Sequence, residues 1–414
     1  MHLPIDNLIP TILEQWPKIQ NFLVSASPGS GKTTRLPPAF LKVIPVEKQI
    51  WVLVPRRLAA LLAAKRVAEE NNWQLGIEVG YHFRFEHCAC AKTRLLFLTE
   101  GIFLKRLQSD ADLKNVACII LDEFHERHID TDLAISLCRS LQKKRRPDLK
   151  IGIMSATIEA APLMNYLDPL ACFDLQSPPH SLEIIYAENS VLLAVKDALN
   201  NQNYSGHVLA FLPGIQAIQK CQKELEDKLD NKNLEILPLH GELTPKEQNS
   251  ILKSNNKRKI ILATNIAESS VTLDGVSVVI DSGLYRRASY SWWTGISTLV
   301  TRPISKASAI QRAGRANRQG PGLCIRLYPQ HDYQIRPDYE VPEIKRADLT
   351  APLLSVMSSP HYDASFTWFD APPLNALEHA YKVLLSLGAL HGEQSDCHLS
   401  PLGNELLTFP LHPR

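Results

Sequence analysis

No apolar run in the 414 residues approaches the ~18–20 residues that a membrane-crossing helix needs. The opening Met1-His2-Leu3-Pro4-Ile5-Asp6 lacks the basic-then-apolar order of a secretory signal. A soluble, cytoplasmic protein without a membrane partner is the expectation. An excess of either charge is also missing: 45 basic and 43 acidic side chains leave a formal +2. That balance does not announce a nucleic-acid binder, yet a focused groove can be basic on a nearly neutral body. Cysteines number only eight and are scattered. Their one close pair, Cys88-Ala89-Cys90, has the wrong spacing for a zinc knuckle even with His82 and His87 nearby, so reduced thiols are the better reading. Low-complexity tracts and short repeats are lacking too. What is present, 45% hydrophobic and 21% charged residues, excludes a largely disordered chain.

At about 150 residues per domain the length predicts two or three domains. Short runs rich in Val, Ile and Leu recur at Asn21–Ser25, Gln49–Val54, Leu95–Thr99, Ala117–Leu121, Ile151–Ser155, His207–Leu212, Leu234–Leu239, Lys259–Thr264, Val276–Asp281 and Leu323–Leu327. Runs this short and this apolar suit strands covered on both faces. Helical stretches such as Arg57–Asn71 and Gly214–Leu229 separate many of them, which predicts an α/β fold with parallel sheets. About ten strands exceed one comfortable sheet. The break Gln176-Ser177-Pro178-Pro179-His180-Ser181 divides them into two groups, giving expected domains over residues 1–176 and 177–342. Residues 343–414 lose the strand pattern, contain a helical stretch at Ala376–Leu387, and read as a small helical third unit.

Ser25-Ala26-Ser27-Pro28-Gly29-Ser30-Gly31-Lys32-Thr33-Thr34 follows the first strand and precedes a helix. Backbone N–H groups from Ser27 to Thr34 can converge there on phosphate oxygens, with the helix N-terminus adding positive potential. Lys32 would reach the β- and γ-phosphates and the Thr33 hydroxyl would bind Mg²⁺. Ala26 stands where the strict pattern has Gly, and a ligand-free glycine-rich turn is the bland alternative. A second strand, Cys118-Ile119-Ile120-Leu121, ends in Asp122-Glu123. Asp122 is suited to hold the metal and Glu123 to polarise an attacking water while also serving the metal site. Together the two segments predict a nucleoside-triphosphate hydrolase.

Further blocks carry a family resemblance. Asp122-Glu123-Phe124-His125-Glu126-Arg127 resembles a DEAH box with Phe in third place, and Ser155-Ala156-Thr157 resembles motif III. Pro55-Arg56-Arg57-Leu58-Ala59-Ala60 resembles motif Ia and Thr99-Glu100-Gly101 motif Ib. Thr264-Asn265-Ile266-Ala267-Glu268-Ser269-Ser270-Val271-Thr272 resembles motif V, and Gln311-Arg312-Ala313-Gly314-Arg315-Ala316-Asn317-Arg318 motif VI. In this order the chain resembles superfamily 2 DEAH-box ATP-dependent RNA helicases. Phe369-Asp370-Ala371-Pro372-Pro373 and Leu387-Gly388-Ala389-Leu390 are most similar to the bacterial HrpB-type branch.

The resemblance implies two tandem RecA-like domains, followed by a partial winged-helix or helical unit, with a further helical domain of the family lying beyond the end of this chain. It implies ATP or another NTP, with Mg²⁺, as cofactors, and single-stranded RNA as partner, with DNA or an RNA–DNA hybrid left open. A clamp that binds nucleic acid or protein without unwinding is the alternative of another class. Arg315 and Arg318 are implied as arginine fingers, and Gln311 as the group placing the γ-phosphate and lytic water. Arg312 is read as a maker of structural ion pairs. Arg66, His125, Thr272 and Asp274 are implied at the nucleotide. Arg66 would stack on the base, while Leu252 in place of an aromatic residue predicts broad NTP use. Asn317 replaces the family's usual Gly, a change Asn tolerates if φ is positive there. Arg56, Arg57, Thr99, Thr264 and Asn265 are implied along the nucleic-acid backbone. A hairpin near Gly295 carries Trp292 and Trp293, and Lys143-Lys144-Arg145-Arg146 is read as a solvated helix end.

Overall fold

Each apolar run forms a strand whose ends fall within a residue of the sequence expectation. The computed structural model describes all residues except 1, 28, 157–159, 176–179, 230–232, 253–256, 269–272, 292–293, 364, 393–396, 410 and 414, and no side chain at 245, 246, 249 or 252. The first sheet comprises β1 (Asn21–Ala26), β2 (Gln49–Val54), β3 (Val79–Phe83), β4 (Glu86–Cys88), β5 (Leu95–Thr99), β6 (Val116–Leu121), β7 (Lys150–Ser155) and β8 (Leu170–Leu175). Their order is β4-β3-β5-β2-β6-β7-β1-β8, parallel except for the β3–β4 pair. Ile50, Val52 and Val54 of β2 pack into one layer and Trp51 and Leu53 into the other. Both faces are therefore dry, which is why the strand reads as unbroken apolar sequence.

The second sheet holds β9 (Leu182–Tyr186), β10 (His207–Phe211), β11 (Leu234–Leu239), β12 (Arg258–Ala263), β13 (Val276–Asp281) and, after the β14–β15 pair (Leu284–Ser291 and Ile296–Pro303), β16 (Gly322–Arg326). Its order is β11-β12-β10-β13-β16-β9, all parallel. The architecture is thus α/β with two parallel sheets. The turn between β14 and β15 includes Gly295 at φ 68°, whereas Trp292 and Trp293 lie outside the described residues.

Contacts divide the chain into two units. One comprises Met1–Gln176, Ser289–Thr298 and Val341–Arg414, the other Ser177–Ala288 and Leu299–Glu340. Within the first, Val341–Arg414 contributes helices Thr350–Met357, Leu374–Ser386 and Pro401–Leu406. It is fastened to the helix Ile129–Lys144, where the Ser140 hydroxyl donates to the His361 carbonyl and Lys144 pairs with Asp363. Among the described residues no helix is long and apolar enough to cross a membrane.

Candidate nucleotide and nucleic-acid site

β1 delivers the chain into a turn in which Ser30 N donates to the Ser27 carbonyl, and the Gly31 carbonyl then accepts from Thr34 N and Arg35 N to start the helix Lys32–Phe40. Gly29 and Gly31 take φ of 85° and 93°, a conformation that favours glycine. At Gly31 a Cβ would also come within 2.7 Å of Leu3 Cδ1. The N-terminal segment braces this turn, since Ile5 N donates to the Ser30 carbonyl. Ser30 is buried and its hydroxyl has no partner among the described residues, as suits a cradle built for an anion. Pro28 lies outside the described residues.

At the end of β6, Asp122 is 2% exposed. Thr33 Oγ1 donates to its Oδ2 across 2.5 Å and Glu123 N to its Oδ1 across 2.9 Å. Burial, with the charge of Glu123, pushes the Asp122 carboxyl well above its ordinary range, opposed by Lys32 and these two hydrogen bonds. Lys32 Nζ stands 3.8 Å from Glu123 Oε1, and His125 Nδ1 lies 3.6 Å from Glu123 Oε2 and 3.2 Å from Ser155 Oγ. Glu123 and Arg127, both with positive φ (50° and 48°), bracket the tight turn Phe124–Glu126. Such backbone costs on the order of 1–3 kcal/mol per residue and persists only where packing enforces it. Phe124 supplies that packing, fully buried against the Phe369 ring at 5.4 Å.

Thr33 and Asp122 present hard oxygen donors side by side, the set that Mg²⁺ takes while retaining most of its waters. The residues present therefore fit the metal, with Glu123 adjoining. Thr34 lies on the first turn of the helix beside them. Arg66 is tied to Glu70 at 2.5 Å, and the same carboxylate receives Arg35 at 3.1 Å. The Thr157 of motif III and Thr272 fall outside the described residues, as does the Leu252 side chain.

Of the expected nucleic-acid contacts in the first unit, Arg56 pairs with Glu126 at 3.2 Å, Arg57 is exposed at the start of its helix, and Thr99 precedes the helix Glu100–Ser109. In the basic run Lys143–Arg146, Lys143, Lys144 and Arg145 are exposed at the helix end as expected, and Arg146 departs from that expectation. Arg146 is 7% exposed, donates to the carbonyls of Asp112, Leu113 and Val116, and pairs with Asp148, while Lys144 and Arg145 pair with Asp363 and Asp112. Buried carbonyls around Asp112–Val116 need donors, and Arg146 supplies them.

In the second unit, Thr264 and the exposed Asn265 follow β12, and Asp274 accepts from Gln319 at 2.7 Å. Gln311 is buried on the helix Lys306–Ala313. Arg312 pairs with Asp281 at 2.8 Å and Glu268 at 3.1 Å, and Arg315 Nε donates to the Glu268 carbonyl at 3.0 Å. Arg318 is half-buried, five residues past the end of that helix. Asn317 does not take positive φ. Its amide instead donates to the His180 carbonyl at 2.7 Å.

Residues 6–165 match the DEAD/DEAH box helicase family model, and residues 190–320 match that of the helicase conserved C-terminal domain. The chain belongs to the DEAD/DEAH box helicases. Among similar helicases, ATP-dependent RNA helicase HrpA of Escherichia coli is 36% identical over all of this chain and 33% of its own length. ATP-dependent RNA helicase HrpB of the same organism is 35% identical over all of this chain and 51% of its length. A crystal structure of the Escherichia coli DEAH/RHA helicase HrpB superposes with a TM-score of 0.88 at 35% identity, covering 98% of this chain and 52% of that one. The two sheets are thus the tandem RecA-like pair of helicases. The chain spans about a third to a half of the length of these relatives.

Sequence reasoning did not single out Glu126, His128 or Glu343. His128 Nε2 meets Glu126 Oε2 at 2.8 Å, its Nδ1 stands 3.5 Å from Glu343 Oε2, and that same Glu343 oxygen accepts from Ile129 N at 3.0 Å. The only available signal was the charge density of Asp122–Asp132.

Proposed function

We propose that this chain is the motor of an NTP-dependent RNA helicase, hydrolysing ATP or another nucleoside triphosphate with Mg²⁺ to translocate on and unwind RNA. The observation that carries this reading is the convergence of Lys32, Thr33, Asp122 and Glu123 at the ends of β1 and β6. In this role Lys32 and the backbone amides of the Ser27–Thr34 turn hold phosphate oxygens. Glu123 accepts the proton of the attacking water, with His125 and Ser155 steadying its side. Thr33 and Asp122 hold Mg²⁺, which when bound neutralises charge on the phosphate oxygens. Gln311 orients the water, and Arg315 and Arg318 neutralise charge that develops on the transferring group. Arg66, Thr272 and Asp274 serve the base and sugar side of the nucleotide.

Arg56, Arg57, Thr99, Thr264 and Asn265 serve the nucleic-acid backbone in this reading. Contacts of that type position a strand without reading its sequence, as translocation requires. RNA is favoured over DNA by the relatives, which are RNA helicases by name. The test is the NTP hydrolysis rate with single-stranded RNA, single-stranded DNA or neither, across a salt series. Stimulation by RNA that weakens with salt is expected. Stimulation by DNA alone would move the substrate class, and stimulation by neither would overturn the motor reading.

A further inference from the structure

One oxygen, Glu126 Oε2, is shared by two cations: Arg56 Nη2 at 3.2 Å and His128 Nε2 at 2.8 Å. Glu126 closes the tight turn that begins next to Glu123, so its carboxylate sits between the hydrolytic turn and the arginine at the end of β2. His128 is itself held from the other side by Glu343. Burial alone would lower the His128 pKa, but the hydrogen bonds to Glu126 and Glu343, aided by their charges and that of Glu100, raise it to about 10. The imidazole is therefore cationic at neutral pH. Its companion carboxylate Glu343 is correspondingly held below its usual range, against the effect of burial. Asp130 adds a further acid beside this pair.

Arg56 cannot hold Glu126 fully and also engage a phosphate with the same guanidinium nitrogen. When it turns outward, a largely buried carboxylate (12% exposed) must keep another cation or bear the penalty of an uncompensated charge. We propose that His128 is a positioning residue for nucleic-acid-stimulated hydrolysis, supplying the countercharge that lets Arg56 exchange Glu126 for a nucleic-acid phosphate. This rests on the reading of Arg56 as a phosphate contact and of the chain as a nucleic-acid-stimulated NTPase. His128 touches neither substrate. It acts through Glu126, and Glu343 fixes it in place through the ion pair and through the hydrogen bond with Ile129 N.

The experiment measures NTP hydrolysis by the full chain against single-stranded RNA concentration for the parent, His128→Gln, His128→Lys, Glu126→Gln and the His128→Gln/Glu126→Gln pair. With His128→Gln, Glu126 loses the His128 cation and holds Arg56 more tightly, so the half-stimulating RNA concentration should rise about five- to tenfold, while RNA-free turnover and maximal rate stay within about twofold. His128→Lys should restore most of the parent value. In the Glu126→Gln background, His128→Gln should change nothing, because no carboxylate then restrains Arg56. An unchanged half-stimulating concentration in His128→Gln overturns the inference, as does an equal rise in both backgrounds, which would mark a packing role. If the parent itself shows no stimulation, the motor reading has failed and this inference with it. Retained RNA-free turnover shows that each variant is folded.

Discussion

Thr33, on the helix that follows β1, and Asp122, at the end of β6, meet at the C-terminal edge of the first sheet through a 2.5 Å hydrogen bond between Oγ1 and Oδ2. The carboxylate is nearly excluded from water, so the hydroxyl is one of few groups available to compensate its charge. Both oxygens belong to the set that would hold Mg²⁺. Thr33→Ala removes one metal donor and one partner of Asp122 together. Hydrolysis should fall about 10- to 100-fold, and the Mg²⁺ concentration for half-maximal rate should rise. A rate-against-Mg²⁺ titration checks this, and an unshifted midpoint would remove Thr33 from the metal site.

Glu123 occupies a left-handed turn with Lys32 and His125 on its two oxygens. Glu123→Gln preserves the side chain's shape and its ability to accept a hydrogen bond but cannot take up a proton. Turnover should drop about 10²- to 10⁴-fold with nucleotide affinity changed only a fewfold, as single-turnover kinetics and equilibrium binding would show. Parent-like turnover would take the general-base role away from Glu123.

The buried strands are legible because both faces of each are dry, so Trp51 and Val52 can be adjacent and apolar while pointing into different layers. Among the described strands of the two large sheets, four are not legible. β8 and β9 close sheet edges and expose Glu183 and Asp174, β4 is short and wet, and β3 breaks its apolar run with Gly80 and His82. The meeting of Thr33 with Asp122 follows from motif chemistry, since strand ends of a parallel sheet gather on one side. The charge network behind it does not. Ile129 and Glu343 are 214 residues apart, and nothing local to either says that they meet. The Arg146 side chain shows the same limit: its basic neighbours suggest solvent, while the carbonyls that capture it lie some thirty residues earlier.

Arg312 is 1% exposed and lies between Asp281, itself fully buried, and Glu268, with its guanidinium 4.8 Å from the Phe211 ring. Arg312→Met would fill much of the space but leave Asp281 charged and without its main counterion. The second unit should lose about 3–5 kcal/mol, read from denaturant unfolding. Adding Asp281→Asn should recover part of that loss, since the amide carries no charge. A double variant no more stable than Arg312→Met would show that packing on Phe211, rather than charge, dominates.

Glu100 is 5% exposed and accepts the Thr131 hydroxyl at 2.5 Å. Burial raises its pKa from the ordinary 4.5 to about 7, opposed by the His128 charge and the Thr131 hydrogen bond and assisted by Asp130 and Glu126. Because the folded pKa lies above the unfolded one, the folded state holds the proton more tightly. The contribution of this group to stability is full below about pH 4.5 and is lost as the pH rises through about 7. Glu100→Gln keeps a carbonyl for Thr131 and cannot ionise. Its stability should lie near that of the parent at pH 5 and exceed it by up to about 3 kcal/mol at pH 8. Urea midpoints at the two pH values measure the difference, and equal offsets at both would mean that Glu100 is already ionised in the folded protein at pH 5.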